Sequence, residues 1–261
     1  METKLQGRVV LVTGGTGGIG QAVCRAFADE GAIVVVHCHA SSDVAAGLAV
    51  ELGGMAVQAD LAHPGEADDV VASIVETYGR LDICIANAGC YPPDPRPFWD
   101  IDPESWTATL RANLDVAANT ARSFLRHASA RRSGNLVLVG STAGKYGEAG
   151  HGDYAAAKGA ITTGLLQTLK NDVAGLGTLR VNAVAPGWTL TPKKLAQGVS
   201  EAQIGRATAT MALKKLARPE EIASIIVILA SDEISGHVTG QVIEIAGGME
   251  GRMIPPFAQE A

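Results

Sequence analysis

A short apolar run that leads directly into a cluster of glycines limits the possible folds of this chain more than any other segment. Residues 9–12 are Val-Val-Leu-Val, an apolar and β-branched run that is typical of a buried strand. Glycines fill most of positions 14–20, and the apolar spacing of residues 21–28 then predicts a helix. This strand, turn and helix have the geometry of a dinucleotide site, because glycines let the backbone approach a diphosphate and a helix amino terminus favours negative charge.

Strands alternate with helices along the rest of the chain. We predict strands at 8–13, 32–37, 55–59, 81–86, 134–140, 178–185 and 241–245. We predict helices at 18–30, 43–53, 65–78, 103–112, 114–131, 153–174 and 219–231. The alternation predicts one α/β domain over residues 1–261, a doubly wound parallel sheet of the Rossmann type with helices on both faces.

Tyr154 and Lys158 form a candidate acid/base pair. They are four residues apart with three alanines between them, so on a helix both side chains lie on the same face. A free phenol has a pKa of about 10, and a nearby ammonium group favours the phenolate. We therefore expect Lys158 to lower the pKa of Tyr154 towards neutrality.

Several further motifs occur in a fixed order around this pair, and together they resemble the short-chain dehydrogenase/reductase family. The resemblance covers residues 5–248, nearly the whole chain. It rests on Thr13-Gly14 with Gly18-Ile19-Gly20, Asp60-Leu61, Asn87-Ala88-Gly89, Asn113, Ser141, Tyr154, Lys158, Pro186-Gly187 and Thr191. It implies hydride transfer between a nicotinamide cofactor and a carbonyl or alcohol carbon.

The resemblance also implies a role for each catalytic residue. Tyr154 exchanges a proton with the substrate oxygen, and Ser141 hydrogen-bonds the same oxygen. Lys158 supports Tyr154 and holds the nicotinamide ribose, while Asn113 positions a water for proton relay. The implied cofactor contacts are Gly14, Thr16, Gly18, Ile19, Gly20, His39, Ser41, Asp60, Leu61, Asn87, Ala88, Gly89, Tyr154, Lys158, Pro186, Gly187, Thr189 and Thr191.

The end of the second predicted strand bears on the choice between the two nicotinamide cofactors. In the family an acidic residue there binds the ribose of NAD and repels the extra phosphate of NADP, but here Cys38 stands at that position. His39, Ser41 and Ser42 can donate hydrogen bonds to a phosphate. Against this, Gly17 stands where many NADP-using members have Arg or Lys. We favour NADP(H) over NAD(H) and leave NAD(H) open.

The substrate is harder to derive than the reaction class. The segments 141–158 and 216–223 look like the 3-oxoacyl-carrier-protein reductase branch, a pattern that many other reductases share. We prefer a small-molecule ketone or secondary alcohol, with His151, Trp188 and Tyr146 as pocket candidates. The irregular-looking segment 188–212 covers the substrate in the family, although an ordinary surface helix pair is the alternative. The tail 249–261 either reaches a neighbouring subunit or is disordered.

Other classes of function fit the chain less well. Its formal charge of −6 disfavours nucleic acid as a partner, and no apolar run approaches membrane-spanning length. The four cysteines lack metal-site spacing, so we expect no metal, and with no signal-like segment we expect a cytoplasmic protein. A non-catalytic cofactor sensor, and an isomerase or dehydratase, stay open as alternatives. The resemblance implies a homotetramer, or failing that a homodimer.

Overall fold

The computed structural model describes residues 2–249, and in this part of the chain seven parallel strands form one sheet. The sheet order is β3-β2-β1-β4-β5-β6-β7. The strands are β1 (Val9–Val12), β2 (Ile33–Cys38), β3 (Met55–Gln58), β4 (Ile83–Ala86), β5 (Ser133–Val139), β6 (Thr178–Pro186) and β7 (Val242–Ile245). All seven overlap the predicted strands.

Helices connect the strands. They are α1 (Gly18–Asp29), α2 (Ser42–Leu52), α3 (Pro64–Tyr78), α4 (Pro103–Leu110), α5 (Val116–Arg131), α6 (Ala143–Tyr146), α7 (Gly152–Ala160), α8 (Leu166–Asp172), α9 (Pro192–Gln197), α10 (Glu201–Ala207), α11 (Pro219–Ala230) and α12 (Asp232–Ser235). A single 3₁₀ turn, Phe98–Asp100, precedes α4.

A hydrophobic core lies on each face of the sheet, which confirms the doubly wound fold. One core packs α3, α5 and α8 against the strands, with Phe124 fully buried. The other packs α1, α2 and α11, with Phe27 fully buried. Burial of each such side chain stabilises the fold by roughly 1.5–3 kcal/mol relative to its exposure. Among the described residues, none of the helices has both the length and the hydrophobicity needed to cross a bilayer.

The structure contains two widened turns that the sequence pattern did not indicate. A π-helical turn, Arg111–Asp115, joins α4 to α5 where we predicted a break at residue 113. A second π-helical turn, Ile161–Leu165, joins α7 to α8 inside the predicted helix 153–174. Each turn inserts extra backbone without ending the helix, so apolar periodicity alone does not locate it.

The segment 188–212, which looks irregular in the sequence, contains a pair of short helices, as the alternative expectation held. It contains α9 and α10, each capped by the side chain of the residue before it. Thr191 accepts from the Lys194 backbone, and Ser200 forms a reciprocal capping box with Gln203. Gly198, at φ +75°, separates the two helices. Apart from Met249, the predicted tail 249–261 lies outside the described residues.

The strand order places a crevice beside β1. The chain moves outwards from β1 to β3 and then returns to the other side of β1 as β4. Loops from β1 and β4 therefore leave in opposite directions above their carboxyl ends, which is where open α/β sheets bind ligands.

Candidate active site

The glycine-rich turn after β1 is held by the asparagine that follows β4. The side-chain amide of Asn87 donates to the carbonyl groups of Thr13, at 2.9 Å, and Gly14, at 3.2 Å. Gly14 has φ +62°, and a Cβ added to it would lie 2.9 Å from Ala88 Cα. Positive φ and this close approach require glycine here. Asn87 and Ala88 thus shape the turn from the neighbouring strand.

His37, at the end of β2, supports the same turn and was missed by the sequence analysis. The Gly14 backbone N–H donates to His37 Nδ1 at 3.1 Å, and His37 Nε2 lies 3.2 Å from the Ala59 carbonyl group. The ring is therefore neutral, with its proton on Nε2. Burial lowers the pKa of His37 to about 4. A polar residue inside an otherwise apolar strand was the available signal.

His37→Leu should weaken cofactor binding about tenfold, because the turn loses a hydrogen bond that fixes it. It should also change acid stability. The unfolded histidine binds a proton near pH 6.5 and the folded one only near pH 4, so the free energy of unfolding falls as pH drops through this window. Across this window we expect the free energy of unfolding of the native protein to fall by about 3 kcal/mol because of His37, and we expect no such contribution in His37→Leu.

Urea unfolding at several pH values measures this effect, and cofactor titration measures the affinity. The exposed His237, near the amino ends of the strands, supplies the control His237→Leu. If His37→Leu keeps the same dependence on pH as the native chain, the assigned role of His37 is wrong.

The amino terminus of α1 fits a diphosphate group. Its N-cap, Gly17, offers no side chain to the first turn, and no acidic residue lies in that turn. The first backbone N–H groups are thus available to an anion. A Cβ added to Gly18 would lie 2.7 Å from Thr191 Cβ, so the start of α9 closes over this point. The residues present fit a dinucleotide cofactor.

Gly89 brings two catalytic candidates together. A Cβ added to it would lie 2.7 Å from Asn113 Oδ1 and 3.1 Å from Lys158 Nζ. Asn113 is fully buried in the π-helical turn, where its amide group donates to the Cys90 carbonyl group at 2.8 Å and accepts from the Cys90 N–H at 3.2 Å. The widened turn explains how an asparagine side chain reaches from a helix to the β4 loop.

Tyr154 and Lys158 share a face of α7, as predicted, but their electrostatics differ from the prediction. Lys158 Nζ lies 5.7 Å from the Tyr154 ring centroid and donates to the Val139 carbonyl group at 3.1 Å. Burial raises the pKa of Tyr154 to about 12 and lowers that of Lys158 to about 8. The expected lowering of the Tyr154 pKa is wrong for the protein without cofactor, because burial of the phenolate is the largest effect on this pKa and Lys158 is not among the groups that lower it.

Ser141 reaches this pair through a close contact between two helices. It follows β5 and precedes α6, and a Cβ added to Gly144 would lie 2.5 Å from the Gly159 nitrogen. Only glycines permit α6 and α7 to approach so closely. A hydrogen bond between the Ser141 and Tyr154 hydroxyl groups lowers the pKa of Tyr154, but the effect of burial, which raises this pKa, is larger. The structure thus brings together Asn113, Ser141, Tyr154 and Lys158.

A second group of polar side chains, the Tyr91 cluster, adjoins Tyr154. It consists of Tyr91, Glu148 and His151. The Tyr91 hydroxyl donates to Glu148 Oε1 at 2.6 Å and lies 3.2 Å from His151 Nδ1, while its ring meets the Tyr154 ring edge-on at 5.1 Å. His151 is buried, and its Nε2 has no hydrogen-bond partner among the described residues. His151 was predicted from sequence as a pocket residue, whereas Tyr91 was not, because the prolines that follow it form no regular pattern.

The two remaining pocket candidates, Trp188 and Tyr146, have different surroundings. Trp188 is 38% exposed after β6, and Lys194 Nζ lies 4.6 Å from its ring centroid. Tyr146 instead donates to Glu244 and contacts the Met249 carbonyl group, and Lys145 pairs with Glu244. These polar contacts direct Tyr146 to β7, so the suggestion that it lines the pocket is not supported.

The predicted adenosine end of the cofactor site lies above β2 and β3. Cys38 is buried, whereas His39, Ser41 and Ser42 are exposed. Asp60 accepts from the Ala62 N–H at 3.0 Å. The predicted contacts to the nicotinamide end of the cofactor lie just after β6. The Gly187 N–H donates to the Ile245 carbonyl group, and the hydroxyl group of the buried Thr189 donates to the Gly187 carbonyl group.

A cavity of about 380 Å³ opens beside Cys90 and Asp153, between the proline-rich loop and α4. Its lining is mostly apolar, with Pro92, Pro93 and Ile101 contributing.

Within residues 2–249 there is no group of three or more His, Cys, Asp or Glu side chains arranged to hold a metal ion.

Comparison with known proteins gives one family model and several relatives. The model described as Enoyl-(Acyl carrier protein) reductase matches residues 14–250. The 3-oxoacyl-[acyl-carrier-protein] reductase of Thermotoga maritima is 35% identical over 94% of this chain and 99% of its own length. The cis-4-hydroxycyclohexanecarboxylate dehydrogenase of Sinomonas cyclohexanicum is 35% identical over 92% and 96%. The L-fucose dehydrogenase of Rattus norvegicus is 34% identical over 95% and 91%.

Proposed function

Because the chain belongs to the short-chain dehydrogenase/reductase family, we propose that it transfers a hydride between NADP(H) and a small-molecule ketone or secondary alcohol. It is an oxidoreductase that acts on CH–OH or C=O groups with a nicotinamide cofactor. The observation that carries the proposal is the convergence on Gly89, where Asn113 and Lys158 meet one turn of helix away from Tyr154.

Each side chain then has a defined task. The cofactor, when bound, supplies or takes the hydride, which no protein side chain can do. Tyr154, protonated at neutral pH because burial raises its pKa to about 12, donates its proton to the carbonyl oxygen during reduction. Ser141 orients that oxygen by a hydrogen bond. Lys158 binds the ribose hydroxyl groups, and Asn113 positions the water that returns a proton towards Tyr154.

The cofactor preference rests on the residues above β2. No carboxylate is present from Cys38 to Ser42, and the exposed His39 and Ser41 can donate to a phosphate. NAD(H) remains the alternative, because Gly17 provides no cation at the amino terminus of α1. We also propose that the buried His151, beside Tyr91, and the partly exposed Trp188, after β6, contact the substrate.

Consumption of NADPH should exceed that of NADH at equal concentration, measured by nicotinamide absorbance with ketones, acetoacetyl thioesters, quinones and sugars. The double change His39→Ala with Ser41→Ala should lower kcat/KM for NADPH about tenfold or more while changing that for NADH little, because two donors to the phosphate are lost. His237→Ala is the matched control. A native preference for NADH would contradict the proposal.

A 3-oxoacyl thioester reductase is the second candidate, favoured by the similarity to the 3-oxoacyl-[acyl-carrier-protein] reductase of Thermotoga maritima. An acidic carrier protein needs a basic docking surface. Of the lysines that might form one, Lys214 donates to the Thr208 and Ala209 carbonyl groups and Lys215 pairs with Glu221. Lys193 is exposed, but two lysine pairs on a chain of formal charge −6 are thin support for such a surface, so a small-molecule substrate is preferred. An NAD-dependent alcohol or polyol dehydrogenase stays an alternative; the cytoplasmic location and the homotetramer stay predictions.

A further inference from the structure

An ammonium group without an anionic partner stands beside the candidate active site. Lys194 lies in α9, and its Nζ rests 4.6 Å from the centroid of the Trp188 indole ring. Within residues 2–249, no carboxylate forms an ion pair with Lys194 and no acceptor receives a hydrogen bond from its Nζ. The side chain is half-buried, and this burial lowers its pKa. Its neighbour Lys193 is exposed.

Lys194 lies at the carboxyl edge of the sheet, because α9 begins beside Thr191, which packs against Gly18, and because Trp188 follows the end of β6. The negative charge of Glu148 raises the pKa of Lys194 and also that of Tyr154, so one carboxylate lies within electrostatic reach of both. Glu148 itself is held by the Tyr91 hydroxyl at 2.6 Å. The Tyr91 ring contacts the Tyr154 ring. Lys194 and Trp188 therefore lie at the same edge of the sheet as Tyr154 and the Tyr91 cluster.

The surroundings of Lys194 stabilise its charge only partly. An indole face attracts an ammonium group more weakly than a carboxylate in direct contact does. Glu148 lies too far for an ion pair and already accepts a short hydrogen bond. A half-buried ammonium group with this environment is open to an anion from solution, because an unpaired charge that is partly removed from water gains free energy from a charged partner.

We infer that Lys194 binds a carboxylate group of the substrate. The preferred substrates are then keto acids and hydroxy acids whose carboxylate lies several bonds from the reacting carbon. Trp188 supplies an apolar surface for the carbon skeleton between the two ends. This inference rests on the proposed function and adds the substrate class.

A phosphate of the cofactor is a second possible source of negative charge. Thr191, the N-cap of α9, packs against Gly18 at the proposed diphosphate position. The two sources are distinguished by measuring cofactor affinity and substrate preference separately for each variant.

The test compares 4-oxocyclohexanecarboxylate with its neutral primary amide, which has nearly the same shape. In the native protein we expect kcat/KM for the carboxylate to exceed that for the amide by about tenfold or more. Lys194→Gln should lower this ratio about tenfold, Lys194→Arg should retain much of it, and Lys193→Gln should leave it unchanged. Added KCl should lower the ratio in the native protein and not in Lys194→Gln.

Three results would overturn the inference. Equal turnover of acid and amide by the native protein would refute it and leave the proposed function standing. A weaker cofactor affinity in Lys194→Gln, with the acid-to-amide ratio unchanged, would assign Lys194 to the cofactor. No turnover of either compound, or of any other ketone or alcohol, would overturn both the inference and the proposed function.

Discussion

Tyr154→Phe is expected to lower kcat about 10³-fold while cofactor affinity stays within about twofold of the native value. The phenyl ring keeps its edge-on contact with Tyr91, so only the hydroxyl group is lost. Without it, no positioned acid donates a proton to the carbonyl oxygen during hydride arrival. Steady-state kinetics and cofactor titration provide the two readouts.

The dependence of rate on pH gives a second view of the same residue. Reduction needs protonated Tyr154, so its rate should hold through neutral and mildly alkaline pH, since the pKa of Tyr154 is about 12 without cofactor. Oxidation needs the phenolate, so its rate should rise about tenfold per pH unit below that pKa. Tyr146→Phe, remote in its contacts, is the control. A Tyr154→Phe variant that turns over substrate at the native rate would refute the acid/base role.

Lys158→Met is expected to lower turnover strongly and, in the protein without cofactor, to raise stability at neutral pH. Below about pH 8 the buried lysine is charged in both the folded and unfolded states, so folding bears the full cost of desolvating the ammonium group. Replacing it should raise the free energy of unfolding by about 3 kcal/mol. The loss of turnover, about 10²-fold or more, follows from the loss of ribose binding and of support for Tyr154.

The pH dependence identifies the cause of the stability gain. Between pH 8 and 10.5 the folded lysine is neutral while the unfolded one still holds its proton, so native stability rises with pH. The advantage of Lys158→Met should therefore shrink across this window and vanish above it. Urea unfolding measures it, with Lys193→Met, at an exposed position, as control. A constant difference at every pH would show that Lys158 is not a desolvated ammonium group.

Much of the fold follows from sequence because most strands contain a run of apolar residues and the main connections between them have helical periodicity. The run of residues 9–12 is buried along its whole length, as both faces of a parallel sheet demand. The π-helical turn around Asn113 did not follow, because widening one turn leaves the apolar spacing on either side almost unchanged.

Some features of the candidate site were likewise predictable from sequence and others were not. The spacing of Tyr154 and Lys158 fixes their common helix face, so their proximity was predictable. Their pKa values were not, because desolvation depends on every group that covers them. His37 and Tyr91 act through contacts with residues distant in sequence, Gly14 and Glu148 respectively. The local sequence pattern around a residue does not predict contacts of this kind.

The most direct test of hydride transfer is to follow deuterium from the cofactor into the product. The native protein is supplied with NADPH, and separately with NADH, that carries deuterium at C4 of the nicotinamide on one face or the other. The alcohol formed from each ketone of the panel is then analysed by NMR. We expect deuterium at the new carbinol carbon from one face only. Alcohol without deuterium from either face, or no oxidation of either bound cofactor by any substrate, would contradict the proposed function.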